Sequence, residues 1–486
     1  MDFAIDLSPL DDHLSAPRGR GRLRASAHAG EAGGSVCGDS IQIRVSLEAD
    51  RVTDAGFDSS GCAAARAAGS AVVELVRGAP LVDAARVSTE AISDALGGLS
   101  RGRMHAAALA ADALHGALGA AAGDGLARLD PSAGRTLVAM SGGVDSAVAA
   151  QQALDAGHEV IGVTLQLWSD AANDGTKSCC SPQAVSVARA LAHRMGIPHL
   201  TLDVRDGFRG AVVDDFIAEH AAGRTPNPCV RCNGLVRFDA MLALAESLGA
   251  ARLATGHYAR VAWDEHGPLI RAAVDANKDQ AYMLARLRPD ALRRIWFPLG
   301  ELTKPEVRSI ARAAGLPVAE KPESQDLCFL AGTRAPEFLA RHGAVEDEPG
   351  EIVDEDGRTV GRHGGQHRFT VGQRRGLGVA AALPLYVTAK EGNRVTVGPK
   401  EALETTTVPL ENVTLYRPAD QVDRVKLRYR SRPIPCDLRP ATCDLALDEP
   451  VRGAAPGQTA CLMQDDTVIG CGTIAVPLRR EVVNAG

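Results

Sequence analysis

Thr136-Leu137-Val138-Ala139-Met140-Ser141-Gly142-Gly143-Val144-Asp145-Ser146 is an apolar run that breaks at two glycines and restarts with helical spacing. Its reading decides the fold: a strand over 136–140, a tight turn, and a helix over 145–156. The glycines let the backbone approach an anion closely, and the helix N-terminus adds unpaired N–H groups and a favourable dipole. No lysine follows as in a Walker loop, so this is not the common phosphoryl-transfer loop. Asp145 has two readings, a carboxylate that helps hold a magnesium ion or a helix cap.

Working outward, 159–167 reads as a strand, 182–195 as a helix and 199–204 as a strand, an alternation that implies a parallel sheet covered on both faces. Upstream, Ile41, Ile43, Val45 and Leu47 alternate as in a half-buried strand, 52–57 is strand-like, and 62–77 and 104–118 have helical spacing. An α+β unit over 30–120 is predicted behind a loose arm of about 30 residues, with 121–134 as a Gly- and Pro-containing linker. From about residue 350 short segments such as 394–397, 426–429 and 467–474 sit between Gly- and Pro-rich turns, which predicts small β domains or barrels. The fold class is therefore multidomain: an α+β unit, an α/β domain over 135–335, a small central domain over 336–405 and a β-barrel over 406–486.

The chain has 486 residues, more than one ordinary core can organise, with 45% hydrophobic and 23% charged residues, a balance that excludes a disordered chain. No apolar run has membrane length, so a membrane partner is not expected. Arg18, Arg20, Arg22 and Arg24 follow Asp2, Asp6, Asp11 and Asp12, which argues against a transit peptide. The net charge of −7 disfavours a general nucleic-acid coat, and 3% aromatics disfavour base-stacking platforms. Local clusters remain: 358–378 holds five Arg, His363 and His367 without an acid, and 421–440 holds six basic residues against Asp423 and Asp437. Two such stretches on separate β modules fit a surface that tracks phosphates. Eleven cysteines argue against a disulfide framework and for metal or thiol chemistry, and for a cytoplasmic location.

Thr225-Pro226-Asn227-Pro228-Cys229-Val230-Arg231-Cys232-Asn233 places two thiols on a proline-stiffened loop, where they can share a metal or exchange a disulfide. No second CxxC exists to complete a zinc ribbon. A third thiol, Cys328, sits in Glu323-Ser324-Gln325-Asp326-Leu327-Cys328-Phe329. Cys179, Cys180, Cys436, Cys443, Cys461 and Cys471 lack ligand spacing and read as structural.

The hexapeptide 141–146 resembles the PP-loop of ATP pyrophosphatases, which cleave ATP between the α and β phosphates and adenylate a substrate oxygen. Together with 225–233, Ala254-Thr255-Gly256-His257-Tyr258-Ala259-Arg260, Lys278-Asp279-Gln280-Ala281-Tyr282, 324–329, Phe369-Thr370-Val371-Gly372-Gln373-Arg374 and Lys426-Leu427-Arg428-Tyr429-Arg430, it makes residues 134–486 similar to the tRNA-specific 2-thiouridylases of the MnmA family. The resemblance implies ATP-dependent 2-thiolation of the wobble uridine of tRNA, with ATP and Mg2+ as cofactors. It implies that Cys328 carries a persulfide and that Cys232 is a nucleophile or disulfide partner. Ala139, Met140, Ser141, Gly142, Gly143, Val144, Asp145, Ser146, Leu165 and Gly256 would contact ATP. Asn227, Pro228, Cys229, His257, Lys278, Asp279, Gln280, Arg428, Tyr429 and Gln458 would face tRNA. Cys229 stands where members carry either aspartate or cysteine, and with Cys232 and Cys328 it suits a 4Fe–4S cluster with one open iron. The implied partners are tRNA and a sulfur donor such as a cysteine desulfurase or a sulfur relay protein.

The chemistry agrees with these parts. The C2 carbonyl of uracil is a poor electrophile; adenylation makes its oxygen a leaving group, AMP, and a sulfur nucleophile displaces it. Upstream, Cys37-Gly38-Asp39, Ser60-Gly61-Cys62-Ala63 and the run 103–109 resemble the NifU/IscU-like iron–sulfur scaffolds. Cys37, Asp39 and Cys62 stand where scaffold ligands stand, while Ala106 replaces the third cysteine and leaves His105 as a substitute ligand or the unit as a docking module. Two alternatives remain at this level: an iron–sulfur carrier with an RNA-binding C-terminal part, and a PP-loop amide-forming synthetase, which would not need Cys232 and Cys328.

Overall fold

The computed structural model describes residues 8–22, 27–33, 38–169, 182–322, 327–330, 332–343 and 347–477. Cys37, Cys179, Cys180 and residues 323–326 of the Cys328 motif lie outside them. In the N-terminal unit, strands His28–Gly33, Ser40–Glu48 and Arg51–Ser60 form an antiparallel sheet in chain order. Its inner face (Ile41, Ile43, Val45, Phe57) packs on helices Ala63–Val76 and Met104–Gly123. The expected loose arm is ordered over 8–22: helix Pro9–Ser15 is capped by Ser8, seats Leu10 and Leu14 on the core, and ties His13 Nδ1 to Ser70 Oγ at 2.8 Å.

The expected linker over 121–134 shrinks, because the helix runs on to Gly123 and the next strand starts at Ser132. The residues between them are bonded on both sides, Arg128 N to Ala49 O and Leu129 N to Ser247 O. Helix Met104–Gly123 lies against strand His199–Asp203, the edge of the next sheet. His115 is wholly buried there, with ring nitrogens 2.8 Å from His199 O and 2.9 Å from Val87 O, and Asp112 pairs with Arg189. A Cβ on Gly119 would lie 1.7 Å from Thr201 O, so only glycine permits this approach. Gly119→Ala therefore has to push the helix off the sheet edge, an overpacking cost of about 1–3 kcal/mol visible as a lowered unfolding midpoint.

The central sheet is wholly parallel, in the order Ile295–Trp296, Ala250–Ala254, Ser132–Ala139, Glu159–Gln166, His199–Asp203. Glu159–Gln166 is buried on both faces, as a strand covered by helices should be. The chain builds one side of Ser132–Ala139 and then the other, so strand order reverses beside it. Open α/β sheets bind ligands outside the carboxyl ends of their strands at such a point.

Further on, Thr359–His363, Gly350–Val353, Arg394–Gly398 and Tyr386–Glu391 form a small sheet around Ile352, Phe369, Val387, Val395 and Val397. The last domain is a closed six-stranded barrel in the order Glu404–Leu415, Asp444–Arg452, Ile434–Arg439, Arg424–Lys426, Thr459–Gln464, Thr467–Ile474, with the last strand pairing back onto the first. Closure removes free edges. The α/β domain reaches the barrel through the hairpin Ala259–Asp264/Gly267–Ala272, which pairs at Thr467 and Arg271 and carries Asp264, bound 2.6 Å from buried Arg417. No helix among the described residues is long and apolar enough to cross a membrane.

Candidate active site

The PP-loop segment sits at the reversal point. Ala139 ends the strand, Met140 N donates to Val163 O, and helix Val144–Asp155 begins after Gly143. Gly142 has φ +69°, a left-handed turn that favours glycine. Ser146 Oγ donates to Gly143 O and accepts from Ser141 N, both at 3.1 Å, which fixes the loop's curvature. Gly256 completes the cradle: a Cβ there would lie 2.7 Å from both Asp145 C and Ser146 N. Leu165 is buried on the neighbouring strand Glu159–Gln166.

Asp145 does not cap the helix. Its Oδ1 accepts from Lys304 Nζ at 2.6 Å and from Tyr258 OH at 2.9 Å, and only a tenth of the lysine side chain is exposed. A second lysine, Lys321, donates to Gly142 O at 2.9 Å. Lys304 and Lys321 lie far from the loop in sequence, and no local pattern marks them. Tyr258 was within a motif already quoted, but its bond to Asp145 is legible only in three dimensions.

At the thiol end, Asn227 accepts from Val230 N at 3.2 Å and Pro228 takes the first turn, so helix Pro228–Cys232 is capped and stiffened from its start. Cys232 is 5% exposed; Cys229 and Cys328 are half-buried. Both thiol-bearing segments pack on helix Asp214–Ala221. Arg231 pairs with Asp215 at 3.3 Å, while Phe329, next to Cys328, meets the Phe216 ring at 5.1 Å. Residues 96 apart in sequence, Cys232 and Cys328, thereby share one neighbourhood. Their donor atoms, with that of Cys229, do not gather within 4.8 Å around a single-ion position. Cys436, Cys461 and Cys471 are buried in the barrel, where burial raises their pKa values, Cys436 to about 12.

Several residues expected to face tRNA have partners inside the protein. Asp279 accepts from Ala273 N and Ala281 N, both at 3.1 Å, and pairs with Lys426 at 3.1 Å with both side chains nearly covered. Gln280 exchanges bonds with Tyr258, N to O at 2.8 Å and Oε1 from N at 2.9 Å. Gln458 donates to Thr225 O at 2.7 Å and to Pro226 O, so the barrel clamps the loop that leads to the cysteines. His257 bonds Thr255 Oγ1 at 2.8 Å beside the Phe238 and Phe297 rings; burial, with Arg237 nearby, lowers its pKa to about 3 and keeps it neutral. Lys278 is half-buried, Arg428 is exposed and donates to Arg452 O at 2.8 Å, and the Tyr429 ring lies 6.4 Å from that of Tyr282.

The two basic stretches are thinner than their composition suggests. His363 and His367 are buried, which lowers their pKa values, so they add no charge at neutral pH. Lys426 is spent on Asp279, and Arg368 pairs with Asp347. Exposed Arg362, Arg374, Arg375, Arg428, Arg430 and Arg439 remain.

In the N-terminal unit, Asp39, Cys62 and His105 converge, their ligand atoms all within 4.8 Å of one another. Asp39 is 1% exposed, and its Oδ2 lies 3.0 Å from Cys62 Sγ and 2.9 Å from His105 Nε2. Burial and the neighbouring Asp39 raise the Cys62 pKa. His105 Nδ1 is held by Gly102 O at 3.0 Å, which orients the ring and leaves Nε2 facing Asp39 Oδ2 and Cys62.

Comparison with known proteins gives four family matches along the chain: the NifU-like N terminal domain over 9–123, the tRNA methyl transferase HUP domain over 134–332, the tRNA methyl transferase PRC-barrel domain over 336–399 and the aminomethyltransferase beta-barrel domain over 416–474. The bifunctional protein NifU/MnmA of Rubrobacter xylanophilus is 44% identical, covering 96% of this chain and 97% of its own length. The tRNA-specific 2-thiouridylases MnmA of Sorangium cellulosum and Geobacter metallireducens are 44% and 43% identical over 74% and 70% of this chain, and 98% and 96% of their own.

Proposed function

This chain belongs to the MnmA family of tRNA-specific 2-thiouridylases, in the form fused to a NifU-like domain, and we propose how its residues divide that work. It is an ATP-dependent tRNA sulfurtransferase. The observation that carries the assignment of parts is the PP-loop at the sheet's reversal point, with Gly256 against it and the two cysteine segments on one shared helix.

The wobble uracil O2 attacks the α phosphorus of ATP, the Pα–O–Pβ bond breaks, and pyrophosphate departs with the bonding pair. Ala139 to Ser146 and Gly256 form the nucleotide cradle, with Leu165 on the adenine side. A persulfide on Cys328 then attacks C2, and AMP leaves with the former uracil oxygen. Cys232 attacks the Cys328 sulfur of the bound persulfide, so the S–S bond breaks, the outer sulfur stays on C2, and a Cys232–Cys328 disulfide forms that an external thiol reduces. This route needs two thiols in one neighbourhood, which the helix Asp214–Ala221 supplies. On the alternative route Cys229, Cys232 and Cys328 would be the ligands of a 4Fe–4S cluster. Magnesium would neutralise the pyrophosphate when bound, and Asp145, whose Oδ1 is held by Lys304, is the carboxylate of the loop that would help hold it.

Asn227, Pro228, Cys229, His257, Lys278 and Gln458 shape the entrance on the catalytic side, and exposed Arg428 beside Tyr429 offers the barrel's contact to the RNA backbone. Asp279 and Gln280 support that entrance from within. A cysteine desulfurase or relay protein supplies the sulfur in the cytoplasm, whose reducing pool keeps the thiols free. The test is incubation of the full chain with ATP, tRNA, a cysteine desulfurase with cysteine as persulfide donor, and a thiol reductant, followed by nucleoside analysis. Formation of 2-thiouridine with one pyrophosphate per thiolated base supports the reading; pyrophosphate release independent of tRNA contradicts it.

Asp39, Cys62 and His105 would hold a single divalent metal in the N-terminal unit, with Cys37 within reach in sequence. Binding would displace the Cys62 proton, so affinity should rise with pH. The expected result is about one equivalent of zinc or iron per chain in elemental analysis, falling severalfold in Cys62→Ser and His105→Ala. Unchanged metal content in both variants would remove the assignment.

A further inference from the structure

The departing pyrophosphate carries high negative charge, yet the hexapeptide that cradles it contains no lysine. Two lysines approach the loop from elsewhere in the fold, and they are not equivalent. Lys304 is nearly buried and pairs with Asp145, so its charge is cancelled on the spot. Lys321 is exposed and donates to a neutral acceptor, the carbonyl of Gly142 at 2.9 Å. The backbone beneath Lys321 is held: its N–H donates to Val318 O at 3.0 Å, while Arg308 donates to Ala319 O and to Lys321 O. A fixed base with a flexible four-carbon stem therefore keeps an ammonium at the lip of the anion cradle. A phosphate oxygen is a better acceptor than a carbonyl, because the bond is charge-assisted at both ends.

Resting on the ATP-using reading above, we infer that Lys321 binds the pyrophosphate moiety, taking the part that a lysine within the loop plays in Walker-type sites. On binding ATP, Nζ leaves Gly142 O for an oxygen of the β or γ phosphate. It stays there as the Pα–O–Pβ bond breaks and the leaving oxygen gains charge. AMP, which lacks both phosphates, makes no such contact. Lys321 also stands seven residues before Cys328 in the sequence.

The test uses the full chain and three probes, ATP, inorganic pyrophosphate and AMP, in calorimetric titrations of the parent, Lys321→Ala and Lys321→Arg. The assignment predicts that Lys321→Ala weakens pyrophosphate by about 10- to 100-fold, the worth of one charged hydrogen bond, and leaves AMP within about twofold. Lys321→Arg should recover most of the loss, with the unfolding midpoint unchanged in both variants. Pyrophosphate affinity within about twofold of the parent in Lys321→Ala, or equal weakening of AMP and pyrophosphate, would overturn it. A parent protein that binds neither AMP nor pyrophosphate would overturn the ATP-using reading itself, and this assignment with it.

Discussion

Cys232→Ala and Cys328→Ala each lower 2-thiouridine formation by ~10³-fold or more, the scale on which loss of a covalent nucleophile is felt. Both variants should still adenylate tRNA, because the PP-loop, Gly256, Lys304 and Lys321 are untouched. The diagnostic is a single burst of about one pyrophosphate per active site: Cys328→Ala stops at adenylated tRNA, since nothing displaces AMP, and Cys232→Ala releases AMP but stops with the tRNA joined through sulfur to Cys328. Cys229→Ala separates the two sulfur routes. If the persulfide passes between Cys328 and Cys232, this variant retains most of its activity; a three-thiolate cluster would make it as dead as the others. Folding is a separate matter for Cys232, which is 5% exposed in a packed core. Cys232→Ser keeps the volume and an acceptor, and loss of activity in both variants with an unchanged unfolding midpoint isolates the chemistry.

Lys426→Ala is the second large effect, on stability rather than on RNA affinity. Its ammonium is the counter-ion of Asp279, whose side chain is 9% exposed and which also accepts from Ala273 N and Ala281 N. Removing the lysine leaves that carboxylate buried and unpaired, a cost of about 3–5 kcal/mol. The barrel strand Arg424–Lys426 and the Lys278-Asp279-Gln280 turn should loosen together, seen as a lower unfolding midpoint and faster proteolysis at their junction. Asp279→Asn in the same chain keeps the acceptor and removes the stranded charge, so the double variant should recover part of the loss. Were Lys426 a phosphate contact, the single variant would instead weaken tRNA and flatten its salt dependence without destabilising the fold.

Residue 426 also shows where the sequence can mislead. Composition counts every basic side chain in 421–440 as surface charge, and the same counting includes His363 and His367. Whether a charge faces water depends on what packs over it, and the partner here, Asp279, is 147 residues away. The PP-loop is the opposite case. Strand, turn and helix were expected at 136–140 and 145–156 and are found at Ser132–Ala139 and Val144–Asp155, because local periodicity and two glycines determine them. The strand begins earlier than its apolar run, since Ser132 pairs with Ala250 across a register shift that no local pattern encodes.

The N-terminal unit repeats the lesson. Ser40–Glu48 alternates and is legible, whereas His28–Gly33 contains no β-branched residue and is a strand only through its pairing with Ser40–Glu48. Helix Pro9–Ser15 had its local signals, a Ser cap and Pro in the first turn, but is too short to show a period. At the site, the cradle residues and the cysteines lie in motifs, while Lys304 and Lys321 reach Asp145 and Gly142 across 159 and 179 residues. Motifs mark where the chain bends around a ligand. The cations that serve it come from wherever the fold brings them.

The central claim is that the uracil oxygen leaves on AMP. It is tested by tRNA whose wobble uracil carries ¹⁸O at C2, incubated with the full chain, ATP, a cysteine desulfurase with cysteine and a thiol reductant, with the released AMP weighed by mass spectrometry. One ¹⁸O per AMP, in step with 2-thiouridine formed, is the predicted result. Unlabelled AMP alongside thiolated tRNA, with the ¹⁸O appearing in water or pyrophosphate, would contradict adenylation of the C2 oxygen.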